Sequence, residues 1–172
     1  IPKKIKLINC VGGGSSAYGF WSNFIDFEKK QIELIGVEAG GPKKSTLHAA
    51  PLSRGAKLGI LHGAAAYCCQ DKEGQIKETE SISAGLDYPS VSPIHCFLKD
   101  TKRARYTYAT DEDALNAYQL VTKLENLNPS LEPSHAFAEA IKIAPGLSKD
   151  TIIIVNSCGD AKKDRDILRQ RL

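Results

Sequence analysis

Six consecutive residues near the start of the chain, Gly12-Gly13-Gly14-Ser15-Ser16-Ala17, are of the types that bind an anion. Glycines let a backbone approach a ligand closely. Where such a turn leads from a strand into a helix, unpaired N–H groups converge, and Ser15 and Ser16 add hydroxyl donors. A lysine directly after the glycines, which a nucleoside-triphosphate loop uses to reach the outer phosphates, is missing. The run also satisfies G-x-G-x-x-A, and Glu38 stands where an acid that binds a ribose would lie, so a dinucleotide is a second reading. A packing turn with no ligand is a third. Asp87 sits in Gly85-Leu86-Asp87-Tyr88-Pro89, a loop that can close over a substrate or simply make a turn. His48, His62, His95 and His135 have no metal-ligand spacing and are expected to pack or hydrogen-bond.

The elements around these residues are readable from periodicity. Ile5 to Val11 alternates and then runs apolar into the glycines, which predicts a strand followed by a turn. Ala17 to about Lys30 carries Tyr18, Trp21, Phe24, Ile25 and Phe27 near helical spacing, and Glu33 to Val37 reads as the next strand, giving a parallel βαβ unit. From Gly40 to about Thr101 only short apolar pieces appear, a stretch long enough to be functional or to hold small elements of its own. Thr110 with Asp113 predicts a capped helix whose packed face is Leu115, Tyr118, Val121 and Leu124. A second helix is expected from about Ser134 to Ile143, and Thr151 to Val155 reads as a mid-sheet strand buried on both faces. The fold class that follows is α/β, a small mostly parallel sheet between helices.

Bulk properties narrow the partners. With 172 residues, 42% hydrophobic and 25% charged, the chain fits one folded domain. The net charge of +3 is spread over short pairs such as Lys43-Lys44 and Lys162-Lys163, which argues against nucleic acid. The longest apolar run, Ile152 to Val155, falls far short of the ~20 residues that cross a bilayer. No signal-peptide pattern opens the sequence, so a cytoplasmic or organelle-matrix location is expected. Five cysteines, odd in number and without a C-x-x-C pair, suit reduced thiols better than a disulfide framework or a structural zinc site.

Taken in order, several segments form a more specific pattern: Val11 to Ser15, Ile35 to Glu38, His48-Ala49-Ala50-Pro51-Leu52, Leu61 to Ala64, and Gln70 to Ile76. Ser81-Ile82-Ser83-Ala84-Gly85-Leu86-Asp87-Tyr88-Pro89-Ser90-Val91 follows, then Leu131-Glu132-Pro133-Ser134-His135-Ala136 and Ile154-Val155-Asn156. Together they resemble the carboxyl-terminal half of the tryptophan synthase beta-chain family across essentially all of residues 1–172. The block from Ser81 to Val91 is the most specific piece, because related enzymes share the glycine loop without it. The family's lysine-bearing motif has no counterpart here.

That resemblance implies one half of a fold-type II pyridoxal-phosphate enzyme, a three-layer αβα unit. The reaction implied is β-replacement of L-serine with indole to give L-tryptophan, with the present chain alone inactive. It implies three further partners: an amino-terminal half carrying the lysine, an alpha subunit, and a second beta subunit. The cofactor phosphate would lie on Gly12, Gly13, Gly14, Ser15 and Ser16, the last replacing the family's asparagine. Glu132 would assist proton movements, and Asp87 would belong to the region that closes on substrate. The family serine that meets the pyridine nitrogen is replaced by Cys158, unless the register slips by one and Ser157 takes its place. A sodium or potassium ion would be bound by the carbonyls of Val11, Gly12, Ala49, Leu86, Tyr88 and Ser90. Another fold-type II β-replacement enzyme or dehydratase, or a noncatalytic phosphate- or partner-binding domain, are the alternatives.

Overall fold

The computed structural model of the chain describes residues 3–172. In chain order the elements are β1 (Lys4–Cys10), α1 (Ser15–Trp21), β2 (Ile32–Ala39), β3 (Lys57–Leu61), β4 (Ala64–Cys68) and α2 (Pro93–Asp100). They continue with β5 (Ala104–Ala109), α3 (Asp111–Glu125), α4 (Leu131–Ile143), β6 (Thr151–Val155) and α5 (Arg165–Arg171). Four strands form a wholly parallel sheet in the order β5-β2-β1-β6, and β3 and β4 form a separate antiparallel hairpin.

Alternation along the central strands divides the core into two layers. Leu7, Val11 and Leu34 face one side, where they pack with Ala17, Trp21 and Leu98 of α1 and α2. Ile8, Cys10, Ile35 and Val37 face the other, against Ala136 and Ala140 of α4. Successive residues of a strand point to opposite faces, so a sheet covered on both sides buries both sets, as Leu7 with Ile8 in β1 and Leu34 with Ile35 in β2 show. The result is the expected αβα sandwich.

Three expectations change. The helix predicted from Ala17 to Lys30 ends at Trp21 and tightens into a 3-10 turn over Ser22–Phe24. β6 is not mid-sheet: among the described residues it pairs only with β1 and lies at the edge, with Ile152 and Ile154 exposed by 44% and 43%. Its apolar composition resembles that of a central strand, and composition carries no information on how many neighbours a strand has. In α3 the buried stripe is Ala114, Ala117 and Val121, while Leu124 is 66% exposed. Small side chains let α3 approach α4 closely, so alanines take the packed face that larger residues were expected to fill.

The expected start of α3 is present in full. Asp113 N–H donates to Thr110 Oγ1 (3.2 Å) and Thr110 N–H to Asp113 Oδ2 (3.0 Å), the reciprocal cap that closes two orphan donors. α4 begins three residues before Ser134, with Pro133 in its first turn, where a missing N–H costs no helical bond.

Candidate cofactor-anchoring site

β1 leads to β2 on one side and pairs with β6 on the other, so the chain reverses direction across the sheet between β1 and β6. A crevice opens beyond the carboxyl ends of strands at such a switch point. Here it is a cavity of about 240 Å³ lined by Cys10, the loop Gly12 to Ser16, Gly85, Leu86, Glu132, Cys158 and Gly159. Four separate stretches of sequence meet in it.

The glycine loop forms one wall. Among the described residues, the N–H groups of Gly12, Gly13, Gly14, Ser15 and Ser16 donate to no protein acceptor, while Val11 N–H is still in the sheet, bonded to Val37 O (2.8 Å). Gly14 has φ +100°, a left-handed conformation that glycine adopts without strain. Gly12 is required for a different reason: a Cβ there would sit 2.6 Å from the Gly85 carbonyl oxygen.

The loop is held from behind. His95, fully buried, places Nε2 2.8 Å from the Gly14 carbonyl oxygen and Nδ1 2.8 Å from the Tyr106 hydroxyl. A carbonyl can only accept, so Nε2 carries the proton and Nδ1 accepts from Tyr106. Burial keeps the imidazole pKa low, in keeping with this neutral form. Tyr106 lies over Gly36, where a Cβ would come within 2.6 Å of the ring. Ser92 N–H donates to Gly13 O (2.9 Å) and completes the support.

The opposite wall carries the charged groups. Glu132, at the start of α4, accepts Gly85 N–H on Oε1 (3.1 Å) and meets Lys163 Nζ at 2.7 Å and 2.8 Å on its two oxygens. Burial raises the carboxyl pKa, but Lys163 and then Ser130 outweigh it and hold the group at about 2. Glu132 is therefore ionised near neutral pH in this arrangement. Lys163 also meets Asp164 Oδ1 (2.7 Å), and Asp164 Oδ2 accepts the first N–H of α4 from Leu131 (2.7 Å).

Cys158 lines the cavity. Ser157 is exposed and lies outside the lining, so of the two residues expected at the pyridine nitrogen only Cys158 stands at the site. Neighbours on an extended segment point opposite ways, which is why one register excludes the other. Cys158 Sγ is 3.5 Å from Cys10 Sγ. This contact divides the pair: facing Cys158 and buried, the Cys10 thiol is pushed well up, whereas contact with Cys10, and then Ser16, holds Cys158 below the ordinary thiol range against its burial. Asn9 and Asn156 both donate to Ser16 Oγ (3.2 and 3.4 Å).

Other expected residues lie elsewhere. Asp87 is exposed on the Ser83–Tyr88 turn, joined to the cavity only through Gly85 and Leu86. Of the six carbonyl residues, Gly12 and Leu86 meet at the cavity, the Leu86 carbonyl already accepts Tyr88 N–H (2.9 Å), and Ala49 and Ser90 sit in bridges to Ala39 and Cys68. Glu38 is 1% exposed, and its carboxylate accepts from Leu52 N (2.9 Å), Ser53 N (2.6 Å) and Ser53 Oγ (2.5 Å). It ties down an internal turn and is unavailable to a ribose, which removes the dinucleotide reading. His95 is hydrogen-bonded as expected, but its support of the glycine loop, the pairing of Lys163 with Glu132 and the part played by Tyr106 were not legible in the sequence, because they exist only through partners distant in the chain. Among the described residues no group of three His, Cys, Asp or Glu is placed to hold a metal, and no helix is long and apolar enough to cross a membrane.

The architecture can be compared with a solved structure. The fungal L-serine ammonia-lyase from Rhizomucor miehei superposes with a TM-score of 0.62 over 99% of this chain and 50% of its own, at 18% identity. The class this defines is an αβα fold, the architecture shared with half of that lyase. No protein-family model matches the chain. The tryptophan synthase beta chain of Chromobacterium violaceum is 50% identical over 92% of this chain, and beta chain 1 of Chlamydia caviae 52% identical over 92%. The Bradyrhizobium beta chain is 45% identical over 96%. The chain spans 39%, 38% and 41% of the length of these relatives. Over the part it spans, the chain is similar to tryptophan synthase beta chains at 45–52% identity.

Proposed function

We propose that residues 1–172 are the cofactor-phosphate-binding part of a tryptophan synthase beta subunit, which condenses L-serine and indole to L-tryptophan. The observation that carries this reading is the row of unpaired N–H groups from Gly12 to Ser16 facing a cavity at the β1/β6 switch point, in a chain 45–52% identical to beta chains. Consecutive backbone donors with no internal acceptor suit a phosphate dianion. The open cavity is smaller than the ~300–1,000 Å³ of ordinary small-molecule sites, as suits a wall that holds one end of a ligand.

Pyridoxal 5'-phosphate bound there supplies an electron sink for the carbanion chemistry of the substrate. The residues of this chain bind and orient. Gly12 to Ser16 hold the phosphate, His95 fixes the loop, and Cys158 sets a sulfur, a weakly hydrogen-bonding atom, beside the ring nitrogen. Glu132 is kept ionised by Lys163 and holds the Gly85 N–H, which sets the entry of the Asp87 loop. A sodium or potassium ion at the carbonyls of Val11, Gly12, Ala49, Leu86, Tyr88 and Ser90 would brace the same loop. The lysine-bearing half, an alpha subunit and a second beta subunit complete the assembly, and the exposed Ile152 and Ile154 of β6 offer a face for such a partner.

Two measurements test the proposal. Titration of the labelled chain with inorganic phosphate should shift the amide resonances of Gly12 to Ser16, and shifts confined to other residues would remove the site. Supplied with the amino-terminal part of a beta chain, it should form tryptophan from L-serine and indole. Cysteine formation from sulfide without tryptophan would instead assign another β-replacement reaction. Alone, the chain should not hold the cofactor covalently: pyridoxal phosphate followed by borohydride should label no single lysine stoichiometrically. Lys163 is the lysine beside the cavity. Burial works against its charge, but Asp164 and Glu132 raise its pKa, so it stays a protonated and unreactive ammonium.

A further inference from the structure

We infer that Cys10 and Cys158 form a dithiol that a hydroperoxide converts to a disulfide on the wall of the cavity. The inference stands on the two thiols and does not depend on the proposed function. Their sulfurs are 3.5 Å apart although 148 positions separate them in the chain. A disulfide bond is about 2.05 Å long, so closure asks for a movement of about 1.5 Å, within reach of side-chain rotation.

The sheet fixes this distance. β1 and β6 are paired in parallel with Ile8 opposite Val155, and Asn156 N–H extends the ladder to Ile8 O (3.1 Å). Cys10 closes β1 and Cys158 lies just beyond the end of β6, so the two thiols meet where adjacent strands leave the sheet. Ser130 Oγ donates to the Cys158 carbonyl (3.0 Å) and holds the segment in place.

Access divides the labour. Cys10 is 4% exposed, whereas Cys158 is half-buried and both line the cavity, so a small peroxide reaches Cys158 first. Its sulfur attacks the O–O bond, one oxygen staying as the sulfenic acid and the other leaving as water once protonated. The Cys10 sulfur then displaces the sulfenic hydroxyl, which departs as a second water. Two thiols and one hydrogen peroxide give one disulfide and two waters, and a dithiol reductant reverses the change. The remaining thiols are engaged apart from this pair: Cys68 with Ser90 Oγ (3.2 Å), Cys69 with the His48 carbonyl (3.7 Å) and Cys96 with Tyr67 N–H (3.4 Å). All three are buried.

The reduced 172-residue chain should be treated with one equivalent of hydrogen peroxide at pH 7, blocked with iodoacetamide and digested without reductant. Mass spectrometry should find a cross-linked pair of peptides containing Cys10 and Cys158, lost on adding dithiothreitol. In Cys10→Ser the oxidation should stop at a sulfenic acid on Cys158 that dimedone captures, and Cys158→Ser should leave Cys10 alkylated. Separate alkylation of Cys10 and Cys158 in the oxidised wild type would overturn the inference, as would a disulfide joining Cys68, Cys69 or Cys96 instead. If either variant fails to fold, the wild-type peptide map decides alone.

Discussion

Lys163 places its ammonium 2.7 Å and 2.8 Å from the two carboxylate oxygens of Glu132, so a residue from the segment after β6 sets the charge of the first turn of α4. Without that cation, a carboxylate as buried as Glu132 would be driven toward its neutral form. With it, the pKa falls to about 2. A depressed carboxyl stabilises the fold above its unfolded value near 4.5, and that stability is lost as pH falls through about 2.

We therefore expect Lys163→Met to lower stability at pH 7 by about 1–2 kcal/mol, after discounting for the solvent exposure of the lysine. The difference from wild type should vanish near pH 2. Urea unfolding midpoints at pH 7 and pH 2.5 measure this, and an equal loss at both would show that Lys163 acts by packing alone.

Glu38 should give the opposite sign in a different window. Burial, opposed by its bonds to Ser53 and Leu52, raises its pKa from 4.5 to about 7. A raised carboxyl contributes stability that is complete below pH 4.5 and is lost as pH rises through about 7. The shift corresponds to at most about 3 kcal/mol. Stability should therefore fall between pH 5 and pH 8, and Glu38→Gln should flatten that fall. A profile as steep in the variant as in wild type would assign the pH dependence to other groups.

Tyr106→Phe should loosen the glycine loop without disturbing the sheet. It removes the donor to His95 Nδ1 and leaves a buried ring nitrogen unpaired, at a cost of about 1–3 kcal/mol. Amide exchange at Gly12 to Ser16 should accelerate and phosphate binding should weaken severalfold, while β1 and β2 amides stay protected. Uniform loss of protection would mean that the ring matters only as core volume above Gly36.

Cys158 gives a prediction about chemistry in a complete beta subunit that carries this segment. A serine hydroxyl is a neutral donor that leaves the pyridine nitrogen largely unprotonated, and a sulfur hydrogen-bonds more weakly than a hydroxyl. Cys158→Ser should keep or raise β-replacement activity. Cys158→Asp should protonate the ring and increase side reactions such as transamination. Product analysis with L-serine and indole separates the two, and an aspartate variant with an unchanged product ratio would place the ring nitrogen away from residue 158.

The residues from Ile5 to Ala17 determine the strand, the glycine turn and its donors because each depends on neighbours within a few positions. The Thr110–Asp113 cap is legible for the same reason. So is the order of segments shared with beta chains, since it is a property of the sequence itself. Tertiary structure alone decided the edge position of β6, which depends on how many strands pair with it and not on its run of isoleucines. It also decided that α3 packs through Ala114 and Ala117, because close approach to α4 selects small side chains. The Glu132–Lys163 pair, the His95 bracket on Gly14 and the Cys10–Cys158 contact join residues 31, 81 and 148 positions apart. Electrostatic attraction and hydrogen bonding act over ångströms of space, and only the packing of the sheet between its helices brings such distant side chains within that range.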